Sequence, residues 1–187
     1  MGVQSTNEDL LDRLGRVHSR ENVFKSYALL RRAGFENINL DLMFAIPGQS
    51  LAMWKETLVE TLALQSEHLA CYEVIYEEDT PLFAQLQSGQ FEVDDNLACT
   101  MYDVLIEECA KAGLVQYEVA NFARDQGPEI WDDLLPTRAC RHNVNYWRGG
   151  TFHGLGPSAS SFVNGLRTKN WSNTELYCRL IEQNQRP

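Results

Sequence analysis

The run CRHNVNYWRGGTFHGLGPSASS, Cys140–Ser161, gathers side chains that do chemistry: a thiol, two histidines, two asparagines and a Tyr-Trp pair. A segment built only to pack would show apolar residues at period 2 or 3.6. Here they are outnumbered by hydrogen-bonding and metal-ligating groups. His142 offers a neutral imidazole, the commonest metal ligand in proteins. Cys140, two residues earlier, adds a soft ligand or packs. Read as extended chain, His142, Val144 and Tyr146 share one side, and Asn143, Asn145 and Trp147 share the other. Gly154-Leu155-Gly156 provides a tight turn with bare backbone, suited to close approach of a ligand. Each feature has a plainer reading as well: a hydrogen-bonded structural histidine, a packed thiol, a turn. No strand-turn-helix dinucleotide fingerprint surrounds the two glycines.

A second set lies upstream. Asp41 sits inside the apolar strand-like run NINLDLMF, residues 37–44. A carboxylate buried there without a partner is costly, so it must meet a cation, a donor or a ligand. A structural salt bridge with Arg16 and a ligand contact both satisfy that demand. Gln4, after Gly2-Val3, reads as a turn-stabilising residue or as a member of the same site. Arg16, after a short helix over 7–14, reads alone as a solvated surface charge.

The elements that must position these groups alternate between strand and helix. Residues 19–33 predict a helix with Val23, Tyr27 and Leu30 on one face and Gly34 closing it. Residues 37–44 predict a strand with Ile38, Leu40, Leu42 and Phe44 on one face and Asn37, Asn39, Asp41 and Met43 on the other. A helix over 50–64 carries Leu51, Trp54, Leu58 and Leu62. A strand over 68–76 follows, then a short helix from Thr80-Pro81 and a longer one over 95–112. Residues 115–122 predict another strand, and 172–185 a last helix. This succession means parallel strands joined by right-handed crossovers. A parallel strand covered by helices on both sides is apolar on both faces. The polar face of 37–44 therefore favours an α/β barrel, or part of one, with a wet interior that holds a ligand.

Bulk properties narrow the function. The net charge of -10 argues against a nucleic-acid partner, which needs clustered Lys and Arg. No apolar run approaches the roughly 18 residues that span a bilayer. No basic and then apolar signal opens the chain, so the expected location is cytoplasmic. Cys71, Cys99, Cys109, Cys140 and Cys178 are scattered and odd in number, a poor disulfide framework without a C-x-x-C site.

The segments GVQS, LGRVH, NINLDLMFAIPGQ, EHLACYEVIYEEDTPL, YEVANFA, CRHNVNYW and GLGPSASS occur in one order. Together they resemble the radical S-adenosylmethionine family of oxygen-independent coproporphyrinogen III oxidases, on the side of its heme-chaperone, HemW-type branch. The resemblance implies a partial (β/α) TIM-like barrel of the radical SAM type over residues 1–123. An acidic insertion over 124–139 would follow, then the start of a C-terminal α+β region over 140–187. It also implies that Gln4, Arg16 and Asp41 contact S-adenosylmethionine. In the chaperone branch the HNxxYW stretch is the heme-binding element, which nominates His142 as iron ligand and Tyr146 and Trp147 as walls of the porphyrin site. The complete protein would bind a 4Fe–4S cluster, S-adenosylmethionine and heme, and pass heme to an acceptor protein. The alternatives are oxidative decarboxylation of coproporphyrinogen III and an inactive truncated product.

Two departures accompany the resemblance. The family's C-x-x-x-C-x-x-C cluster cysteines are absent from this sequence, so the expectation is a fragment that is inactive by itself as a radical enzyme. The stretch DQGPEIWDDLLPTRA, with Trp131, separates YEVANFA from CRHN and reads as an insertion.

Overall fold

The structure, a computed structural model, describes residues 1–78, 80–126 and 132–187. It divides into two units, Met1–Ala139 and Cys140–Pro187.

The first unit begins with strand β1 (Gly2–Gln4) and helices α1 (Glu8–Arg13) and α2 (Arg20–Arg32). Strand β2 (Asn39–Phe44), helix α3 (Leu51–Leu62) and strand β3 (His68–Glu73) follow. Helices α4 (Pro81–Gln87) and α5 (Asp95–Lys111) then lead into β4 (Leu114–Glu118) and β5 (Asn121–Arg124). Each helix starts where a short polar side chain can satisfy its orphan amides: Asn7, Ser19, Ser50, Thr80 and Asp94 all accept from the backbone amide three residues on. The apolar stripes fall where the sequence places them. Val23 and Tyr27 of α2, Trp54 and Leu58 of α3, and Met101, Leu105 and Cys109 of α5 are buried in one core with Leu40, Leu42 and Phe44 of β2.

The five-stranded sheet has the order β1-β2-β3-β5-β4. Its first three strands are parallel, with Asn39 opposite His68 and Phe44 opposite Glu73. Along β2 the buried Leu40, Leu42 and Phe44 alternate with half-buried Asn39, Asp41 and Met43, so this strand has one apolar and one polar face. Residues 115–122 depart from the single parallel strand that their composition predicts. The chain reverses at Val119-Ala120, and β5 runs antiparallel to both β4 and β3. The Glu118 carboxylate accepts from the Ala120 amide at 2.9 Å and from Asn121 Nδ2 at 2.6 Å, which fastens the turn. Two residues suffice for a hairpin and are far too few for a parallel crossover. The result is an open sheet whose parallel part is a segment of a (β/α) barrel.

Within residues 124–139, Trp131 lies outside the described residues. The flanking chain is tied to the end of β5: Arg138 N donates to Arg124 O at 3.2 Å and Thr137 N to Asp125 Oδ1 at 3.1 Å.

The second unit holds α6 (Arg141–Trp147), an antiparallel hairpin of β6 (Ser160–Val163) and β7 (Leu166–Lys169), and α7 (Thr174–Glu182). Asn164 and Gly165, both at positive φ, make the hairpin turn, the conformation that an Asn-Gly pair favours. Among the described residues no helix is long and apolar enough to cross a membrane.

Candidate functional site

The polar face of the sheet is built by register. Asn39 and Asp41 lie two residues apart on β2, so both side chains leave the same face. His68 pairs opposite Asn39 and Ala70 opposite Asp41. Asn39 Nδ2 donates to Asp41 Oδ1 at 2.7 Å, which leaves Asn39 Oδ1 facing His68 Nδ1 at 2.6 Å. On the other side of the ring, His68 Nε2 lies 2.6 Å from the Tyr117 hydroxyl. Only the amide NH2 can face a carboxylate, so the direction of the whole chain is fixed. His68 donates from Nδ1 and accepts from Tyr117 at Nε2 as a neutral imidazole. Burial lowers the pKa of His68 to about 4, in keeping with that state. Tyr117 reaches His68 from β4 because the β4–β5 register shifts between Gln116 and Glu118, and its ring meets the imidazole edge-on at 5.6 Å.

Gln4 ends β1 opposite Leu42, one step from Asp41, with φ at +63°. Its side chain folds back beside Gly2, where a Cβ would lie 2.8 Å from Gln4 Nε2. Glycine at position 2, which pairs opposite Asp41, is thus what leaves room for the Gln4 amide. The structure brings Gln4 and Asp41 together on adjacent strands. Arg16 is exposed beyond α1, and among the described residues no ion pair joins it to Asp41. The nearest cation to that carboxylate is the Met1 ammonium, 4.0 Å from Oδ2. The structural salt bridge between Arg16 and Asp41 is therefore not formed.

The Cys140–Ser161 stretch differs from its extended reading. Residues 141–147 form the helix α6, closed by Gly149 at positive φ. Val144 is buried, the one buried residue of a helix of about two turns. His142 and Tyr146 still share a face, now through i, i+4 spacing, with ring centroids 4.5 Å apart. Tyr146 continues to Phe152 at 4.1 Å, and Phe152 to Phe162 at 6.3 Å. His142, Tyr146 and Trp147 are all exposed. At Gly154 the turn is occupied by its own chain, whereas Gly156 faces open space with its backbone groups bonded. A Cβ on Gly154 would overlap the Ser160 carbonyl, Ser161 Oγ accepts from Gly154 N at 2.9 Å, and Asn170 Nδ2 donates to the Gly156 carbonyl at 2.9 Å.

The cysteines do not converge. Cys71 and Cys109 are core residues whose thiols burial pushes up, which keeps them protonated, and Cys99 and Cys178 are exposed. Among the described residues no three His, Cys, Asp or Glu side chains gather to hold a metal ion. A 4Fe–4S cluster, which needs three thiolates close together, does not fit these residues.

Sequence reasoning missed His68 and Tyr117. His68 opens an ordinary apolar run, and only the pairing of β2 with β3 sets it against Asn39.

Residues 1–60 match the radical SAM superfamily. The chain is 34% identical to the heme chaperone HemW of Bacillus subtilis over 97% of its own length and 45% of that protein. It is 33% identical to the HemW of Lactococcus lactis over its full length and 46% of the relative. It is also 36% identical to the mitochondrial radical S-adenosyl methionine domain-containing protein 1 of Danio rerio, over 85% of this chain and 34% of the other. The chain thus spans less than half the length of these relatives. Its fold matches the Escherichia coli coproporphyrinogen III oxidase HemN, a radical SAM enzyme, with a TM-score of 0.75 at 19% identity, over 99% of this chain and 43% of that one. At that identity the likeness speaks for the fold alone. By its sequence matches, the chain belongs to the radical SAM superfamily as a HemW-like protein.

Proposed function

We propose that this chain is the part of a heme chaperone that carries one wall of an S-adenosylmethionine site and the heme-binding element. The observation that carries the first half is the polar face of β2: Asp41, held by Asn39 and flanked by Gln4, at the ligand-facing side of a partial barrel. Asp41 accepts hydrogen bonds from hydroxyl or ammonium groups of S-adenosylmethionine, and Gln4 offers an amide beside it. Arg16, exposed at the end of α1, supplies a cation for the ligand's carboxylate. No radical step is assigned to these residues, because they do not hold a cluster.

The heme half rests on α6. His142 is exposed and backed by Tyr146 and Phe152, so its ring is oriented by packing while a nitrogen stays open to an iron. Tyr146 and Trp147 give apolar surface for a porphyrin face. The complete protein would hold heme here and transfer it to an acceptor protein in the cytoplasm. Titration of this chain with hemin, followed by Soret absorbance, tests the assignment. His142→Ala should weaken binding about tenfold or more, as the loss of an axial ligand requires. An unchanged titration would remove His142 from the site.

A further inference from the structure

A groove of about 950 Å³ opens at the C-terminal ends of β2 and β3, walled by α4 and α5. Phe44, Tyr72, Ile75, Phe83, Leu86 and Tyr102 line it. Phe44 alternates with Asp41 along β2, so the groove begins on the helix-covered side of the sheet, and it reaches round the end of β3 to Tyr72, which pairs with Met43 on the other face. Ile75, 75% exposed, and Val119, 69% exposed, present apolar surface at the groove.

The charge around the groove is one-sided. Glu73 and Asp95 line it, and among the described residues no Lys or Arg does. Exposed Glu77 and Glu78 follow the lining Tyr76, and exposed Glu92 and Asp94 flank the lining Val93. Between Lys55 and Lys111 the sequence has 13 carboxylates and not one Lys or Arg, so this segment carries more negative charge than the whole chain's net of -10. Arg13 donates to Gln85 of α4 at 3.5 Å, a residue that does not line the groove.

We infer that this groove docks an amphipathic helix of a partner protein, with apolar residues on one face and Lys or Arg on its flanks. Apolar side chains at i, i+3, i+4 and i+7 enter a groove walled by two helices, the usual mode for such a surface. The carboxylate rim rewards basic flanks and repels acidic ones, which sets specificity and the rate of encounter. The same rim disfavours a porphyrin with its propionates.

Fluorescence anisotropy tests this on the full chain, with a labelled helical peptide of roughly 18 leucines and lysines in that spacing. The amphipathic peptide should bind, and its affinity should fall as sodium chloride rises from about 50 to about 500 mM. Ile75→Asp, at an exposed position, should weaken binding about tenfold, and Glu73→Lys severalfold, with circular dichroism unchanged. Absence of binding, equal binding of a scrambled peptide, or indifference to Ile75→Asp would each overturn the inference. Displacement of the peptide by hemin would make the groove a small-molecule site. Self-association abolished by Ile75→Asp, read by sedimentation, would make it an interface between copies; either result also overturns it.

Discussion

Asp41 points where it does because Asn39 can only present its NH2 to a carboxylate, and because His68 is neutral and holds the other end of that amide. Asn39→Asp keeps the shape and inverts the polarity, setting a second carboxylate beside Asp41. Equilibrium dialysis of S-adenosylmethionine against this chain should then show affinity reduced about tenfold, as it should for Asp41→Asn. Retention of full affinity by both variants would sever the network from the ligand site. Asp41 was visible in the sequence as a carboxylate inside an apolar run, and Gln4 only through the resemblance that GVQS carries. His68 was not, since its partners come from a neighbouring strand and from Tyr117, 49 positions away.

The elements were legible wherever local pattern and tertiary packing agree. Trp54 lies on the predicted stripe of α3, is fully buried, and donates from Nε1 to Met101 O at 2.9 Å. Trp54→Ala should cost about 3–5 kcal/mol through the cavity and the orphaned carbonyl, read as a fall in urea midpoint. Two elements were not legible. Residues 115–122 have the composition of one strand, yet a two-residue turn held by Glu118 makes them parts of two. Residues 141–147 carry no helical stripe because only Val144 is buried. The Gly154 turn was legible as a turn, but its bare face meets Ser160 rather than a ligand. Gly154→Ala should therefore disturb the β6–β7 hairpin, visible as local loss of amide protection from hydrogen exchange at Phe152 and Phe162, whose backbones pair at 2.9 Å.

At the scale of the whole molecule, the buried neutral His68 couples folding to pH. Its folded pKa of about 4 lies below the ordinary 6.5, so the unfolded chain binds the proton first. Stability is full above about pH 6.5 and falls as pH drops through about 4, by up to about 3 kcal/mol from this group. Urea unfolding of the wild type should show that slope between the two values. His68→Gln should flatten it, and an identical slope would place the proton elsewhere. The sequence alone determined the superfamily, the amphipathic helices, the two-faced β2 and the candidate residues, because each is written in local spacing and side-chain type. The tertiary structure alone decided that β5 runs antiparallel, that β1, with Gly2 opposite Asp41 and Gln4 one step on, lies beside that carboxylate while no ion pair joins Arg16 to it among the described residues, and that His68 and Tyr117 orient the polar face. Register between strands brings distant residues to one spot, and no local pattern encodes which residues will meet across it.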